Sequence, residues 1–556
     1  MNDANNLTRR GFLTIAAFTW AHFSQSNSLP SKKSGLIGHW KLTSDAKDYS
    51  GRNNHGQNHG VQFSPLGAKF DGRGNYIEVP NKNLLNFGAG DFSISVHVNL
   101  DDEVDDLPGD IISKYDAVAR RGFTLSICNN SGCTNNQANY RNVQFGIDNG
   151  RSDLKWLDCG RPGNNLFIWH LLVHEGQLYC STCEPGANEA GHVYRYEGGT
   201  KWADCGNPDV CNAVTSLAVY KGSLYAGASR YGLWGSFLPE SPNKNPGGKV
   251  YRYEGGSRWV DCGKLGEADG IGCMSVFGGK LYATSLRPPA GVFRYEGGQT
   301  WTFCGNSEGR RVAALTAFNG ELFGTGWDSG EVYRYKGGTS WEVVGKLVES
   351  GQTYALGVYG GKLYASSWPR GEVFRLDGIN NWTPCGRVDD AEKDSESMGL
   401  AVYNGKFFAG SLPLAKVYRY ESGETWTDTG TLDSTPDLWL HRAWSMAVFK
   451  GKLFCGTLPS GRIYSLEAGR CATHDYELGP RWRHLAAVRS SDKLKLYVDG
   501  KLVSVSSDFR PEDYDISNEK PLIIGFGNQD YFAGKMRDLR VYNRALSEAE
   551  VLTHGS

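Results

Sequence analysis

Tryptophan and arginine side chains recur in the loops of a repeated segment in the middle of this 556-residue chain. Indole rings provide flat apolar faces for stacking, and guanidinium groups bind carboxylates through two parallel hydrogen bonds. Together they suit a carbohydrate, especially an anionic one. We therefore predict ligand binding by Arg230, Trp234, Arg287, Trp327, Asp328, Trp368, Arg370, His441 and Arg442. The alternative is that the tryptophans and neighbouring prolines fill a channel and stiffen the loops.

No motif of a known catalytic class accompanies these residues. The chain has no Gly-x-Ser-x-Gly elbow, phosphate-binding loop, His-Glu-x-x-His helix or dinucleotide fingerprint. His39, His55, His59 and His97 lack the regular spacing of metal ligands. Catalysis is therefore unsupported by the sequence, although it is not excluded.

A repeated hairpin must position the loops. One copy runs from Leu217 to Gly227, with the turn Lys221-Gly222 between strands of alternating apolar residues. Glycine supplies the positive φ that such tight turns need. A second hairpin follows each first one. In the copy that begins at Leu171, the second hairpin runs from Val193 to the strand that contains Trp202. Four short strands in roughly 40–45 residues are typical of a β-propeller blade. The other copies of the first hairpin begin at Leu171, Met274, Leu315, Leu356, Leu400 and Met446.

The two ends of the repeat predict how the ring closes. A strand with Trp156 precedes the first hairpin, and the last copy, from Met446, lacks its own Trp strand. The Trp156 strand should therefore complete the last blade and hide its edge. This predicts seven blades within residues 153–468. The acidic-Gly turns before each Trp resemble the Asp-box hairpins of sialidase-like propellers, which implies a turn-forming role rather than chemistry for Glu197, Glu254, Glu296, Asp377 and Glu421.

The segments flanking the repeat belong together. Gly38-His39-Trp40-Lys41-Leu42 stands in the first segment, and Arg481-Trp482-Arg483-His484-Leu485 in the second. With further motifs in the same order, they resemble laminin-G-like, concanavalin-A-like jelly-roll domains. We expect an all-β chain: a concanavalin-A-like β-sandwich from residues 34–150 and 471–556, interrupted by the seven-bladed β-propeller. The resemblance implies Ca²⁺ at a sheet edge, held by Asp48 and Asp538. A turn at Asp48 and a salt bridge at Asp538 are the alternative.

Composition limits the partners. Lys+Arg 59 and Asp+Glu 60 leave a net charge of -1, so we expect no nucleic acid partner. No apolar run approaches 18 residues, so we expect no integral membrane segment. The 72 glycines favour short strands joined by turns over long helices. Nothing in the composition predicts an oligomeric state.

The N-terminus and the cysteines predict where the protein resides. Thr8-Arg9-Arg10-Gly11-Phe12-Leu13 begins an apolar run that resembles a twin-arginine export signal, here residues 1–30. We expect a bacterial protein that is periplasmic, on the cell surface or secreted. Thirteen cysteines in an exported chain favour disulfides, and the odd number leaves at least one thiol unpaired. The predicted pairs are Cys128–Cys133, Cys205–Cys211 and Cys262–Cys273.

These patterns predict an exported, non-catalytic recognition protein. Its partner would be a glycan or another extracellular ligand, bound through the propeller loops and the lectin-like domain. Two alternatives stay open: a polysaccharide hydrolase or lyase with its site in the propeller funnel, and a structural cell-surface adhesion protein.

Overall fold

The computed structural model describes residues 35–101, 108–128, 137–151, 154–233, 236–389 and 395–555. Trp234, Cys133 and the predicted export signal lie outside these ranges. The described residues from Leu36 onward belong to one compact unit that is built almost wholly of strands. The all-β class is thereby confirmed.

Two seven-stranded antiparallel sheets combine strands from both ends of the chain. The first sheet contains Leu36–Trp40, Ala68–Asp71, Phe92–Asn99, Arg483–Ser490, Lys493–Val498, Lys501–Val505 and Ala533–Tyr542. The second contains Gln57–His59, Tyr76–Val79, Gly109–Asp116, Arg121–Cys128, Asn142–Asn149, Arg470–His474 and Leu522–Ile524.

The sheets share one apolar core, to which alternate residues of each strand contribute. Phe92 of the first sheet meets Phe145 of the second edge to face, at 5.8 Å between ring centroids. The strands on either side of the repeat are neighbours, because Arg470 pairs with Ile147. The two ends of the repeat segment therefore lie side by side, as a domain insertion requires.

The repeat forms a series of four-stranded antiparallel units. In chain order the first four units are Phe167–His174, Gln177–Cys183, Val193–Gly198 and Lys201–Asp204; Ala213–Tyr220, Ser223–Ser229, Lys249–Tyr253 and Trp259–Lys264; Ile271–Phe277, Lys280–Ser285, Val292–Gly297 and Thr300–Phe303; Val312–Phe318, Glu321–Gly326, Glu331–Gly337 and Ser340–Lys346. The next are Gln352–Tyr359, Lys362–Trp368, Glu372–Gly378 and Asn381–Arg387; Glu396–Tyr403, Lys406–Leu412, Lys416–Ser422 and Thr425–Thr431; Arg442–Phe449, Lys452–Leu458 and Ile463–Leu466, joined by Trp156–Asp158.

The units are arranged as in a propeller. The first strand of each contacts the first strand of the next, and Arg442–Phe449 returns to Phe167–His174. The prediction that the Trp156 strand completes the last unit is confirmed, because Trp156 pairs with Leu466. Five of the sheets are separate, whereas the first two units share one eight-stranded sheet through a single pairing of Cys183 with Ala213. The blade count of seven stays a prediction.

The repeated tryptophans join neighbouring units. Trp259 Nε1 donates to the carbonyl oxygen of Cys205 in the preceding unit at 2.9 Å, and Trp301 Nε1 to that of Cys262 at 2.8 Å. Equivalent bonds are made by Trp202, Trp341, Trp382 and Trp426. These bonds hold the ring together along its outer strands.

The acidic residues compared with Asp boxes form ion pairs within their hairpins, and their turn-forming role stays a prediction. Each pairs with the arginine two residues before it, as Arg252 does with Glu254 and Arg375 with Asp377. A tyrosine hydroxyl also bonds across four of the five turns, as Tyr253 donates to the carbonyl of Gly256 at 2.8 Å. The Asp377 hairpin has Leu376 at that position. Exposed pairs such as Arg252–Glu254 contribute little to stability. The pair of Glu421 with Arg419 is different, because the Arg419 side chain is only 2% exposed.

The described cysteines are all free thiols, so Cys205–Cys211 and Cys262–Cys273 are not paired. Cys205 and Cys262 share one core cluster, while Cys211 and Cys273 each belong to another. Sequence proximity does not bring these side chains together, because the two members of each predicted pair pack in different apolar clusters. Cys128 is free and buried, and its predicted partner lies outside the described residues.

Helices are few among the described residues: the 3₁₀ turns Asn83–Leu85 and Pro511–Asp513, and the α-helix Glu548–Gly555. No helix in the described part of the chain is long and apolar enough to cross a membrane.

Candidate functional site

A cavity of about 400 Å³ lies where the first strands of the units begin. The loops between second and third strands contribute to the same wall. Its lining residues are Trp169, Tyr231, Phe237, Leu286, Arg287, Arg311, Trp327, Gln352, Tyr354, Trp368, Glu396, Leu412, Trp439, Leu440, Arg442 and Trp444. The size and the apolar lining with a few polar groups are typical of a small-molecule site.

Five rings form what we call the aromatic basin: Trp169, Tyr231, Trp327, Tyr354 and Trp444. Trp169 meets Trp444 nearly at right angles, with 5.3 Å between centroids, and Tyr231 at 4.9 Å. Tyr354 lies 6.5 Å from Trp444 and 6.2 Å from Trp327, again edge to face. These contacts favour fixed ring positions, because aromatic pairs prefer this geometry. The basin is therefore a rigid floor.

The rim of the cavity is more exposed than its floor. Trp169 and Trp444 are 1% and 2% exposed, whereas Trp439 is 57% and Phe237 75% exposed. Large exposed aromatic side chains around a cavity are typical of a contact surface for a ligand.

A buried ion pair lies beside the basin. Arg442 Nε is 3.8 Å from Glu396 Oε2, Arg442 Nη1 donates to Ser236 Oγ at 2.6 Å, and the Tyr354 hydroxyl donates to Glu396 Oε1 at 3.0 Å. Burial lowers the pKa of the Arg442 guanidinium, but the Glu396 carboxylate and the Tyr231 and Tyr354 hydroxyls together outweigh burial and raise that pKa. Arg442 therefore remains a cation within the wall.

A second arginine is held at the rim. Arg311 Nε donates to Asp328 Oδ1 at 2.9 Å, and its guanidinium lies 5.0 Å from the centroid of the Trp327 ring. Partial burial raises the pKa of Asp328, but the hydrogen bonds from Arg311 outweigh that effect and lower it. Asp328 is not itself part of the lining, but it holds the Arg311 side chain in its place there.

The structure brings together four of the nine predicted ligand-binding residues: Arg287, Trp327, Trp368 and Arg442 line the cavity, and Asp328 adjoins it. The others lie apart from the lining. Arg230 is 3.8 Å from Glu240, Arg370 is bound to Glu349, and His441 Nε2 is bonded to the Thr435 carbonyl oxygen at 2.9 Å. Trp234 lies outside the described residues. Whether any of the nine binds a ligand stays a prediction.

Cavity residues on the first strands of the units were not among the residues predicted from the sequence to bind a ligand. Trp169, Tyr354 and Trp444 each stand two positions before the first residue of the predicted repeat, Leu171, Leu356 and Met446. Three other copies have small residues there, namely Thr215, Gly272 and Ala313, and the copy from Leu400 has Met398. That contrast is a signal that could have identified the basin.

The opposite ends of the first strands are closed by the sandwich. Val448 N–H donates to Asn139 Oδ1 at 2.9 Å, and Asn139 Nδ2 donates to the Val448 carbonyl at 2.7 Å. Gln137 makes the same pair of bonds with Val276, at 3.1 and 3.2 Å, and Val173 N–H donates to the carbonyl of residue 138. We call residues 137–139 the plug. It closes the end of the ring opposite the cavity.

The hairpin turns of the same face also contact the sandwich. Lys406 Nζ is bound to Asp148, with 3% and 4% of the two side chains exposed, and the Tyr115 hydroxyl donates to Asp148 at 3.1 Å. Asn528 Nδ2 donates to the carbonyl of Gly405 at 2.6 Å. The cavity is therefore approached from the face away from the sandwich.

The residues predicted to hold calcium are occupied by other partners. Asp48 accepts hydrogen bonds from the backbone N–H groups of His39, Ser50 and Asn54; burial raises its pKa, and these bonds lower it further than burial raises it. Asp538 accepts from His39 Nε2 and from Arg540, and despite burial its pKa falls to about 2.

These surroundings do not fit calcium, because backbone donors and a guanidinium replace the oxygen ligands that Ca²⁺ requires. Across the described ranges no three His, Cys, Asp or Glu side chains come together as a metal site. Calcium binding stays a prediction.

Residues 461–552 match a family model described as "Concanavalin A-like lectin/glucanases superfamily". The match covers the sandwich strands that follow the repeat, and it confirms the resemblance for that segment. A search of curated proteins found no match.

Several solved structures are similar at low identity. A catalytically inactive virginiamycin B lyase from Staphylococcus aureus with quinupristin is 11% identical, with a TM-score of 0.43; the alignment covers 57% of this chain and 99% of that one. YCF48 bound to D1 peptide is 12% identical (TM-score 0.40), covering 57% of this chain and 98% of that one. The WD40 β-propeller domain of Doa1 is 10% identical (TM-score 0.38), covering 56% and 97%. None of these likenesses informs the ligand or activity of this chain.

Proposed function

We propose that this chain is an exported, non-catalytic recognition protein that binds a carbohydrate in the cavity of its propeller. The observation that carries the proposal is the aromatic basin, which joins ring faces to arginine side chains in one cavity of about 400 Å³. Sugar rings bind to such surfaces through their apolar faces, while the arginines bond to their oxygens.

The proposal includes a ring of seven blades within residues 153–468, inserted between sandwich segments 34–150 and 471–556. The closed succession of first strands supports this count. So does the eight-stranded sheet, which divides at the Cys183–Ala213 pairing into two units with the strand order of the others. Residues 1–30 would direct export to the periplasm, the cell surface or the medium, and the sandwich would be a second binding or anchoring module.

A binding role is better supported than hydrolysis or elimination. Glu396 is the single carboxylate among the described residues that line the cavity, and it is held by Arg442 and Tyr354. Glycoside hydrolysis ordinarily needs two carboxylates on either side of the scissile bond. No histidine among the described residues joins the lining to act as a base.

The test is binding of an oligosaccharide library to the full chain and to the variants Trp327→Ala and Trp368→Ala. Each variant should weaken binding about tenfold, since an aromatic contact contributes roughly 1 kcal/mol beyond its buried area. Phe303→Ala is the matched control, because Phe303 is an exposed aromatic residue on an outer strand away from the cavity. Unchanged binding in both tryptophan variants would rule out this cavity.

A further inference from the structure

We infer that the propeller cavity binds the free end of a saccharide chain, which enters it end-on, and not a segment from the interior of the chain. The inference rests on the proposed function and narrows it from carbohydrate in general to chain ends. Three features of the cavity lead to it: a wall to which every unit of the repeat contributes, a closed floor, and exposed aromatic side chains at the rim.

The wall of the cavity surrounds the axis of the ring. Every four-stranded unit of the repeat contributes to the lining; in chain order these contributions include Trp169, Tyr231, Arg287, Trp327, Tyr354, Leu412 and Trp444. A site for the interior of a polymer needs two exits, one for each continuing end of the chain. A chain lying across this floor would have to pass through the wall twice, whereas a chain end enters and stops.

The floor of the cavity is closed. Trp169 and Trp444 meet nearly at right angles with 5.3 Å between centroids, and Phe167 contacts both rings, at 4.4 and 5.0 Å. Phe167 is fully buried, and the two indoles are only 1% and 2% exposed. At the opposite end of the ring, Gln137 and Asn139 of the plug bond to the far ends of the first strands. Within the described part of the chain the cavity therefore opens at one end, and a polymer cannot thread through the ring.

Two exposed rings stand beside that opening. Phe237 and Trp439 line the cavity and are 75% and 57% exposed, and we call them the rim platform. Their loops are joined, because Arg442 Nη1 donates to Ser236 Oγ at 2.6 Å. Flat apolar ring faces at the opening suit stacking on a sugar ring. The rim platform should therefore contact the residues that follow the terminal ones.

The volume limits how much of a chain can enter. The cavity of about 400 Å³ lies near the lower end of the range for small-molecule pockets, roughly 300–1,000 Å³. It suits a terminal mono- or disaccharide, with the next residues against the rim platform. Affinity should rise as the chain grows from a disaccharide to a tetrasaccharide and then level off, because further residues extend into solvent.

The experiment uses the full chain and isothermal titration calorimetry. The probes are tetrasaccharides of amylose, dextran, galactan, mannan, xylan and levan, and a soluble chain of each that is at least tenfold longer. A tetrasaccharide that binds is then displaced by its own long chain, at equal concentration of sugar residues. The long chain has fewer ends for the same number of residues, so by mass action it should compete about tenfold more weakly or worse. A site for chain interiors would bind the long chain at least as well as the tetrasaccharide.

Variants of the rim platform test the direction of entry. Trp439→Ala and Phe237→Ala should each weaken binding of the tetrasaccharide about tenfold and leave binding of the disaccharide within about twofold, because only the longer chain reaches the platform. Both side chains are mostly exposed, so Tm should stay unchanged. Phe303→Ala is the matched control, since it removes an exposed aromatic ring from an outer strand and should affect neither length.

The outcomes separate the two levels of the proposal. Equal competition by the long chain, residue for residue, would overturn end-on binding and leave carbohydrate binding intact. Equal losses for the disaccharide and the tetrasaccharide in both platform variants would also overturn the end-on order of contacts. Binding of none of the tetrasaccharides, together with no binding in the wider oligosaccharide library, would overturn the proposed function as well. Weak competition by the long chain with length-dependent losses at the platform would support both.

Discussion

Replacing Asn139 with alanine should loosen the plug and destabilise the protein. Asn139 is fully buried and satisfies both backbone groups of Val448, through bonds of 2.9 and 2.7 Å, while Nδ2 also donates to Asn142 Oδ1 at 2.9 Å. The alanine variant leaves a buried N–H and a buried carbonyl without their partner. Each such group costs about 1–3 kcal/mol, so the free energy of unfolding should fall by roughly 2–4 kcal/mol.

The assay combines urea unfolding with hydrogen exchange of the Val448 amide. In the natural protein this amide should exchange slowly, because its hydrogen bond lies at the end of the ring that the sandwich covers. In Asn139→Ala it should exchange much faster than the amides of the aromatic basin. Asn164→Ala is the control, because the Asn164 side chain bonds to Glu189 in an exposed setting; its stability should change by less than about 0.5 kcal/mol.

The result that would refute this reasoning is a small loss of stability with unchanged exchange at Val448. It would mean that another group, or water, bonds to Val448 as well as Asn139 does. The plug would then be a surface contact instead of the structure that closes the ring.

Two further predictions concern buried charges. Lys406→Met leaves the buried Asp148 without its cation, so the free energy of unfolding should fall by about 3–5 kcal/mol. The double variant Lys406→Met with Asp148→Asn should recover part of that loss, as measured by urea unfolding. A loss below about 1 kcal/mol in the single variant would contradict the pairing. Burial raises the pKa of Asp110 to about 7, against the two N–H bonds that lower it, so the folded state holds a proton there that the unfolded state loses near pH 4. Stability should therefore fall as pH rises from 4 to 7, by roughly 2–4 kcal/mol from this group. Asp110→Asn should flatten that decline, and equal slopes for the two proteins would be inconsistent with the raised pKa.

The sequence predicted those features whose cause is local. The hairpins follow from x-Gly turns between alternating apolar strands, so Lys221-Gly222 and its counterparts could be located directly. Closure of the last unit by the Trp156 strand followed from counting strands at both ends of the repeat. Trp327 and Trp368 could be assigned to the cavity because they stand in loops on one face and are not needed for the repeat itself.

The features that failed depend on which way a side chain points. Five residues separate Cys205 from Cys211, but sequence distance does not reveal that they pack in different clusters. Arg230 and Arg370 belong to the expected loops, yet acidic neighbours hold them away from the lining. The plug was invisible because Gln137 and Asn139 look like ordinary polar loop residues until the ring that they cover is in place.

The arrangement of the plug, the outer tryptophans and the basin gives a physical reason why binding belongs at one end of the ring. The N–H groups of the outer-strand indoles donate hydrogen bonds to neighbouring units. The amide side chains of Gln137 and Asn139 in the plug bond to the far ends of the first strands. Both sets of bonds restrict movement of the units against one another. The rings of the basin are also held in place by their edge-to-face contacts. A ligand that enters the cavity therefore meets ring positions that are already fixed, which lowers the entropic cost of association.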